Sequence, residues 1–149
     1  MTRREKAISL FYEGYNCSQS VLLAFSDLID DNEENLARLS FLLGGGVSRL
    51  REVCGAVSGM GMAAGMIFPA SVPCTGEEKA KNYKMMQSLA FKFKEKHGSY
   101  ICRELLNIGS PGAQPPTPEL RTPEYYKKRP CPELIGDAVD ILEEYINNK

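Results

Sequence analysis

The stretch Cys54–Phe68, CGAVSGMGMAAGMIF, decides the fold. It lies in a run without charge, Val53–Gly76, whose first 16 residues, Val53–Phe68, are mostly apolar. A spanning helix needs about 20 apolar residues. This run stops short at Pro69 and Pro73 and is punctuated by Gly55, Gly59, Gly61 and Gly65. It therefore reads as the buried central helix of a bundle, from about Arg49 to Ile67. Each glycine costs a helix about 1 kcal/mol against alanine. Several at helical spacing, with Gly55 and Gly59 on one face, fit a helix that its neighbours approach very closely.

Outward from this helix the apolar spacing stays helical. Ala7, Leu10 and Phe11 form one stripe, closed by Gly14 as a left-handed cap. Val21, Leu22, Phe25, Leu28 and Ile29 form the next, and Leu36, Leu39 and Leu43 a third that ends at Gly44-Gly45-Gly46. Thr75, with Glu78 three residues on, opens a long helix as a capping box. Its face is Tyr83, Met86, Ala90 and Phe93, and Gly98 ends it. A short helix at about Tyr100–Leu106 follows Ser99. The last begins at Pro132 and carries Leu134, Ile135, Ala138, Leu142, Tyr145 and Ile146. No window alternates as a strand does. The prediction is one all-α domain, residues 1–149, a bundle of about six or seven helices around a central Gly/Ala-rich helix. Within it, Asn107–Pro130 is a long loop holding six of the nine prolines.

The chain has 149 residues and a formal net charge of −1, so nothing electrostatic argues for nucleic acid or an anionic membrane. The start MTRREKAISLFYEGYNC lacks the apolar core and small-residue cleavage site of a secretory leader. A cytoplasmic location is expected, where structural disulfides are rare. The single histidine, His97, precedes Gly98 and reads as a residue of a helix end rather than a ligand. Met60, Met62 and Met66 read as core filler rather than a Cu(I) site. The Gly44–Gly46 turn is no phosphate loop, although its amides are available to an anion or a sulfur.

The five cysteines, Cys17, Cys54, Cys74, Cys102 and Cys131, stand 37, 20, 28 and 29 positions apart. No CxxC occurs, so local zinc-finger and thioredoxin signatures are absent. Their placement says more than their spacing. Asn16 and Ser99 are good N-caps, which puts Cys17 and Cys102 in first turns. Cys131 precedes Pro132, Cys74 precedes Thr75, and Cys54 falls early in the central helix, with Ser48 as its cap. Helix starts offer unpaired amides and partial positive charge, which favour thiolate over thiol. Lys127, Lys128 and Arg129 precede Cys131, which is therefore expected to be the reactive thiol.

The ordered set YNCSQSV, GGG, CGAVSG, CREL and CPELI resembles the C_GCAxxG_C_C family, whose members are described as redox-active. The resemblance covers nearly the whole chain. It implies a site of four cysteines, Cys17, Cys54, Cys102 and Cys131. Cys74 has no counterpart in the pattern.

Three readings follow. In the first, these four cysteines are the catalytic groups of a thiol–disulfide oxidoreductase or electron-transfer protein, with a redox protein or a small thiol as partner. In the second, the same four hold zinc or an iron–sulfur cluster. In the third, the bundle is a non-catalytic interaction module with inert thiols. The small-residue faces and the long loop also allow a homodimer.

Overall fold

The computed structural model describes residues 1–108 and 113–149. Part of the Asn107–Pro130 loop, residues 109–112, lies outside the described residues. Among the described residues, eight right-handed α-helices follow one another: α1 (Arg3–Tyr12), α2 (Cys17–Leu23), α3 (Glu33–Ser40), α4 (Gly55–Ile67), α5 (Gly76–His97), α6 (Cys102–Leu105), α7 (Pro123–Lys128) and α8 (Cys131–Asn147). No strand occurs among the described residues, only an isolated antiparallel bridge between Val53 and Ile101. The all-α expectation therefore holds. The helix count rises to eight because the proline-rich loop contains α7, capped by Thr122 with Pro123 in its first turn.

The central helix is buried as the sequence predicts, and it ends at Ile67. Ala56, Val57, Met60, Ala63 and Ala64 of α4 are almost fully buried. Helix α2 lies most extensively along it, and α8 and α5 pack beside it. A methyl group built on Gly59 would meet the Ser18 carbonyl oxygen at 2.7 Å and Val21 Cβ at 3.0 Å. That glycine is what lets α2 and α4 touch backbone to backbone. Gly65 faces open space, so close packing does not explain it. Helix α1 covers α8, where Arg4 Nη1 reaches Asp137 and Asp140, each at 2.7 Å. Gly136 leaves room for that guanidinium. The Nε2 of His97, the last residue of α5, lies 2.9 Å from Asp137 Oδ2.

Several local expectations change. The second stripe does not form one helix. Helix α2 ends at Leu23 and the chain tightens into a 3₁₀ turn at Ser26–Leu28. The change of pitch keeps Phe25 and Ile29 buried but turns Leu28 outward, 42% exposed. On α5 the buried pair is Leu89 and Phe93, while Tyr83 is exposed. Thr75 does cap α5, accepting from the Glu78 amide at 3.1 Å, and Gly98 ends it at φ +85°.

The largest change precedes α4. The sequence reads as helical from about Arg49, yet α4 starts at Gly55 with Cys54 as its N-cap residue. Gly45, Gly46, Val47, Ser48 and Arg49 instead all have positive φ, between 49° and 71°. This is a turn of left-handed backbone, closed by the Ser48 amide on the Gly44 carbonyl at 2.8 Å. For residues with a Cβ such backbone costs roughly 1–2 kcal/mol each, so tertiary contacts must impose it. Two glycines here answer to space. A methyl group on Gly46 would lie 2.7 Å from Cys102 Cβ, and one on Gly44 would overlap the Asn16 side chain.

Candidate functional site

Four helix starts converge at one end of the bundle. Cys17 is the first residue of α2, Cys102 of α6 and Cys131 of α8, and Cys54 occupies the N-cap position of α4 without a side-chain capping bond. All four line a single cavity of about 650 Å³. The expected placement of these cysteines at helix starts holds, with two of the expected caps, Ser48 and Ser99, replaced. Cys54 is itself the N-cap residue of α4, and Ser48 belongs to the left-handed turn rather than to the helix. Cys74 lies just before the Thr75 cap, half-buried, and does not line the cavity.

Local chemistry fixes each cysteine. Asn16 Oδ1 accepts from the Gln19 amide at 3.0 Å, and Gln19 Oε1 accepts from the Asn16 amide at 3.0 Å. This reciprocal cap starts α2 at Cys17. Asn16 Nδ2 also donates to the Phe41 carbonyl at 2.8 Å, which holds α2 against the glycine turn. The Gly45 backbone amide favours the Cys17 thiolate. Cys54 and Cys102 are tied by a short antiparallel pairing around the Val53–Ile101 bridge. The Cys54 amide donates to Tyr100 O at 2.8 Å and the Cys102 amide to Glu52 O at 2.6 Å. Ser99 does not cap α6 itself. It braces the approach, accepting from the Ile101 amide at 2.9 Å and donating to Glu104 at 2.8 Å. Gly55 admits the Cys17 sulfur where any side chain would collide with it.

The electrostatics reverse one expectation. Helix-start amides do favour thiolates at Cys17 and Cys54, but burial outweighs them. Cys17 is raised above its ordinary value by burial, with Cys102 adding to the effect. Cys54 is raised well above it by burial and then by Cys17. Cys131 is pushed up to about 12, first by burial and then by Cys17, against the opposing charge of Arg129. Cys131 is thus a protonated, half-buried thiol, not an exposed thiolate. Of the basic run before it, Lys127 and Lys128 are solvated and only Arg129 reaches the cavity.

Sequence reasoning missed Arg51. It is 6% exposed, donates from Nε to Gln114 Oε1 at 2.8 Å and from Nη1 to Cys102 Sγ at 3.5 Å. Arg49 and Arg121 also line the cavity. The signal was present in RLRE, Arg49–Glu52, directly after the glycine turn, but nothing local says that these arginines fold inward.

No disulfide joins any of the five cysteines, all of which are free. Among the described residues, no three Cys, His, Asp or Glu side chains are grouped closely enough to hold one metal ion. No helix among the described residues is long and apolar enough to cross a membrane.

The fold and the site define an all-α protein with four cysteines, each at a helix start, lining one cavity. The family model described as "Putative redox-active protein (C_GCAxxG_C_C)" matches residues 15–145, and the chain belongs to that family. No curated protein and no solved structure matches it.

Proposed function

We propose that Cys17, Cys54, Cys102 and Cys131 form a dithiol–disulfide site that exchanges electrons with a disulfide partner. The observation that carries the reading is the shared cavity: cysteines remote in sequence line one space. Buried neighbouring thiols are poor places for negative charge, since each ionisation is opposed by desolvation and by the next sulfur. Joining two of them as a disulfide removes both potential charges. In the balanced reaction, two cysteine thiols and one partner disulfide give one protein disulfide and two partner thiols. Two electrons pass to the partner, and the two protons leave with its thiols.

Roles follow from position. Two sulfurs couple the set: the charge of Cys17 would act on Cys54 and Cys131, and that of Cys102 on Cys17, Cys54 and Cys131. Arg51 holds a fixed positive charge against Cys102 Sγ. That charge offsets the negative charge that develops on this sulfur while an S–S bond is made or broken. Cys74 stays outside the cycle. The protein would work in the cytoplasm, where such thiols rest reduced.

The test is thiol counting combined with intact mass. The reduced chain, treated with a mild disulfide oxidant, should lose two or four thiols and an equal number of hydrogen masses, with no change in oligomer size. Cys74→Ser should retain this behaviour, and Cys17→Ser should lose the first bridge. Retention of all five thiols would favour the inert interaction module. Stoichiometric zinc, or iron with visible absorption after anaerobic purification, would replace the reading by metal ligation.

A further inference from the structure

The cysteine cavity carries a charge imbalance that the thiol chemistry does not account for. Arg49, Arg51, Arg121 and Arg129 line it, and Glu119 is the one carboxylate among its described lining residues. Glu119 pairs with Arg129 and stands 4.0 Å from Arg49. Among the described residues, neither of the other two guanidinium groups is paired with a carboxylate. Arg51 is bonded to Gln114 and Cys102. Arg121 donates to the Phe11 and Tyr15 carbonyls and lies 4.2 Å over the Phe11 ring. These groups are not freely solvated. Arg51 is 6% exposed, and the side chains of Arg129 and Arg49 are 12% and 16% exposed.

Arginine cannot shed its proton to relieve such crowding. Burial lowers Arg49 from its ordinary value, and the nearby charges of Arg51 and Arg129 add to this. Cys17, Cys54 and Cys131 are not the missing counter-ions, because burial favours their protonated form. Guanidinium groups retain more donors than these contacts use, and their planar fork suits carboxylates. A small anion entering the cavity would be held beside the sulfurs.

We infer that the substrate of the cysteine site is a low-molecular-weight disulfide bearing carboxylate groups, which the cavity arginines bind while the cysteines reduce it. This rests on the dithiol–disulfide reading above. One cavity thiol attacks the substrate S–S bond, forming a mixed disulfide and releasing one carboxylate thiol. A second cavity thiol displaces the other half, leaving a protein disulfide. The protein loses two electrons and two protons, and two carboxylate thiols leave with them.

Three disulfides of matched length test the inference: 3,3′-dithiodipropionate, bis(2-hydroxyethyl) disulfide and cystamine, which carry negative, no and positive charge. The reduced protein is mixed with each, and thiol loss is followed by quenched alkylation and mass spectrometry. Each rate is divided by that of the same disulfide with N-acetylcysteine amide, which cancels intrinsic reactivity. The normalised rate for the dianion should exceed the neutral one by about tenfold or more, and the dication should fall below it. The spread should narrow at about 0.5 M salt. In Arg49→Gln the dianion-to-neutral ratio should fall towards one. Equal normalised rates for all three, or a slower dianion, would overturn the anionic substrate while leaving the thiol exchange standing. Failure of all three to oxidise the protein would sink both.

Discussion

Gly59 and Gly65 look alike in the sequence, both within GAVSGMGMAAG, yet the fold treats them oppositely. Gly59 is pressed against Ser18 and Val21, whereas Gly65 has nothing within 4 Å. Gly59→Ala should therefore destabilise the protein by about 1–3 kcal/mol, the usual cost of forcing a methyl into a filled contact. Gly65→Ala should stabilise it by about 0.5–1 kcal/mol, the helix-propensity gain alone. Urea titration of the two variants reads the difference directly, and a destabilised Gly65→Ala would contradict the packing. The spacing of small residues announced a close helix crossing but not which glycine serves it, since that depends on where α2 ends up. The cysteines show the same division. Asn16 and Pro132 mark helix starts by local chemistry, so the positions of Cys17 and Cys131 were legible. The protonation of those thiols was not, because burial is set by residues far away in sequence.

At the scale of elements, the left-handed turn between the 3₁₀ turn Phe41–Leu43 and α4 is the clearest departure from local rules. Glycines at 44–46 announce a turn, but Val47, Ser48, Arg49 and Arg51 give no local sign of positive φ. Apolar periodicity therefore ran the central helix back to Arg49. Tertiary bonds decide otherwise: the Arg51 and Glu52 carbonyls accept from the amides of Arg103 and Cys102. Val47, β-branched at φ +67°, carries the sharpest local conflict. Val47→Gly should relieve it and raise stability by about 0.5–1 kcal/mol, despite the added freedom of the unfolded chain. A fall in the denaturation midpoint on this substitution would show that Val47 is not strained. The long helix α5 presents the reverse case, because Thr75 and Gly98 mark its two ends by local chemistry alone.

For the whole molecule, the raised cysteines couple stability to pH. Above about pH 9 an unfolded cysteine loses its proton. Cys131, pushed up to about 12, keeps it in the folded state. The unfolded state then binds fewer protons, so folding stability falls as pH rises from about 9 towards 12. Thermal unfolding of the reduced protein should show this decline, and Cys131→Ser should flatten part of it. An unchanged slope in that variant would mean that Cys131 is not held protonated. The same long-range assembly explains what the sequence could not display. Arg49, Arg51, Arg121 and Arg129 are ordinary surface residues by composition, and only the closed bundle turns them towards the cysteines.

The distribution of the sulfurs over four helix starts also bears on portability. A metal-binding finger can be excised as a short peptide because its ligands are neighbours along the chain. Here any excerpt that drops α2 or α8 forfeits a sulfur. Transplanting this chemistry into another protein would mean moving the entire scaffold.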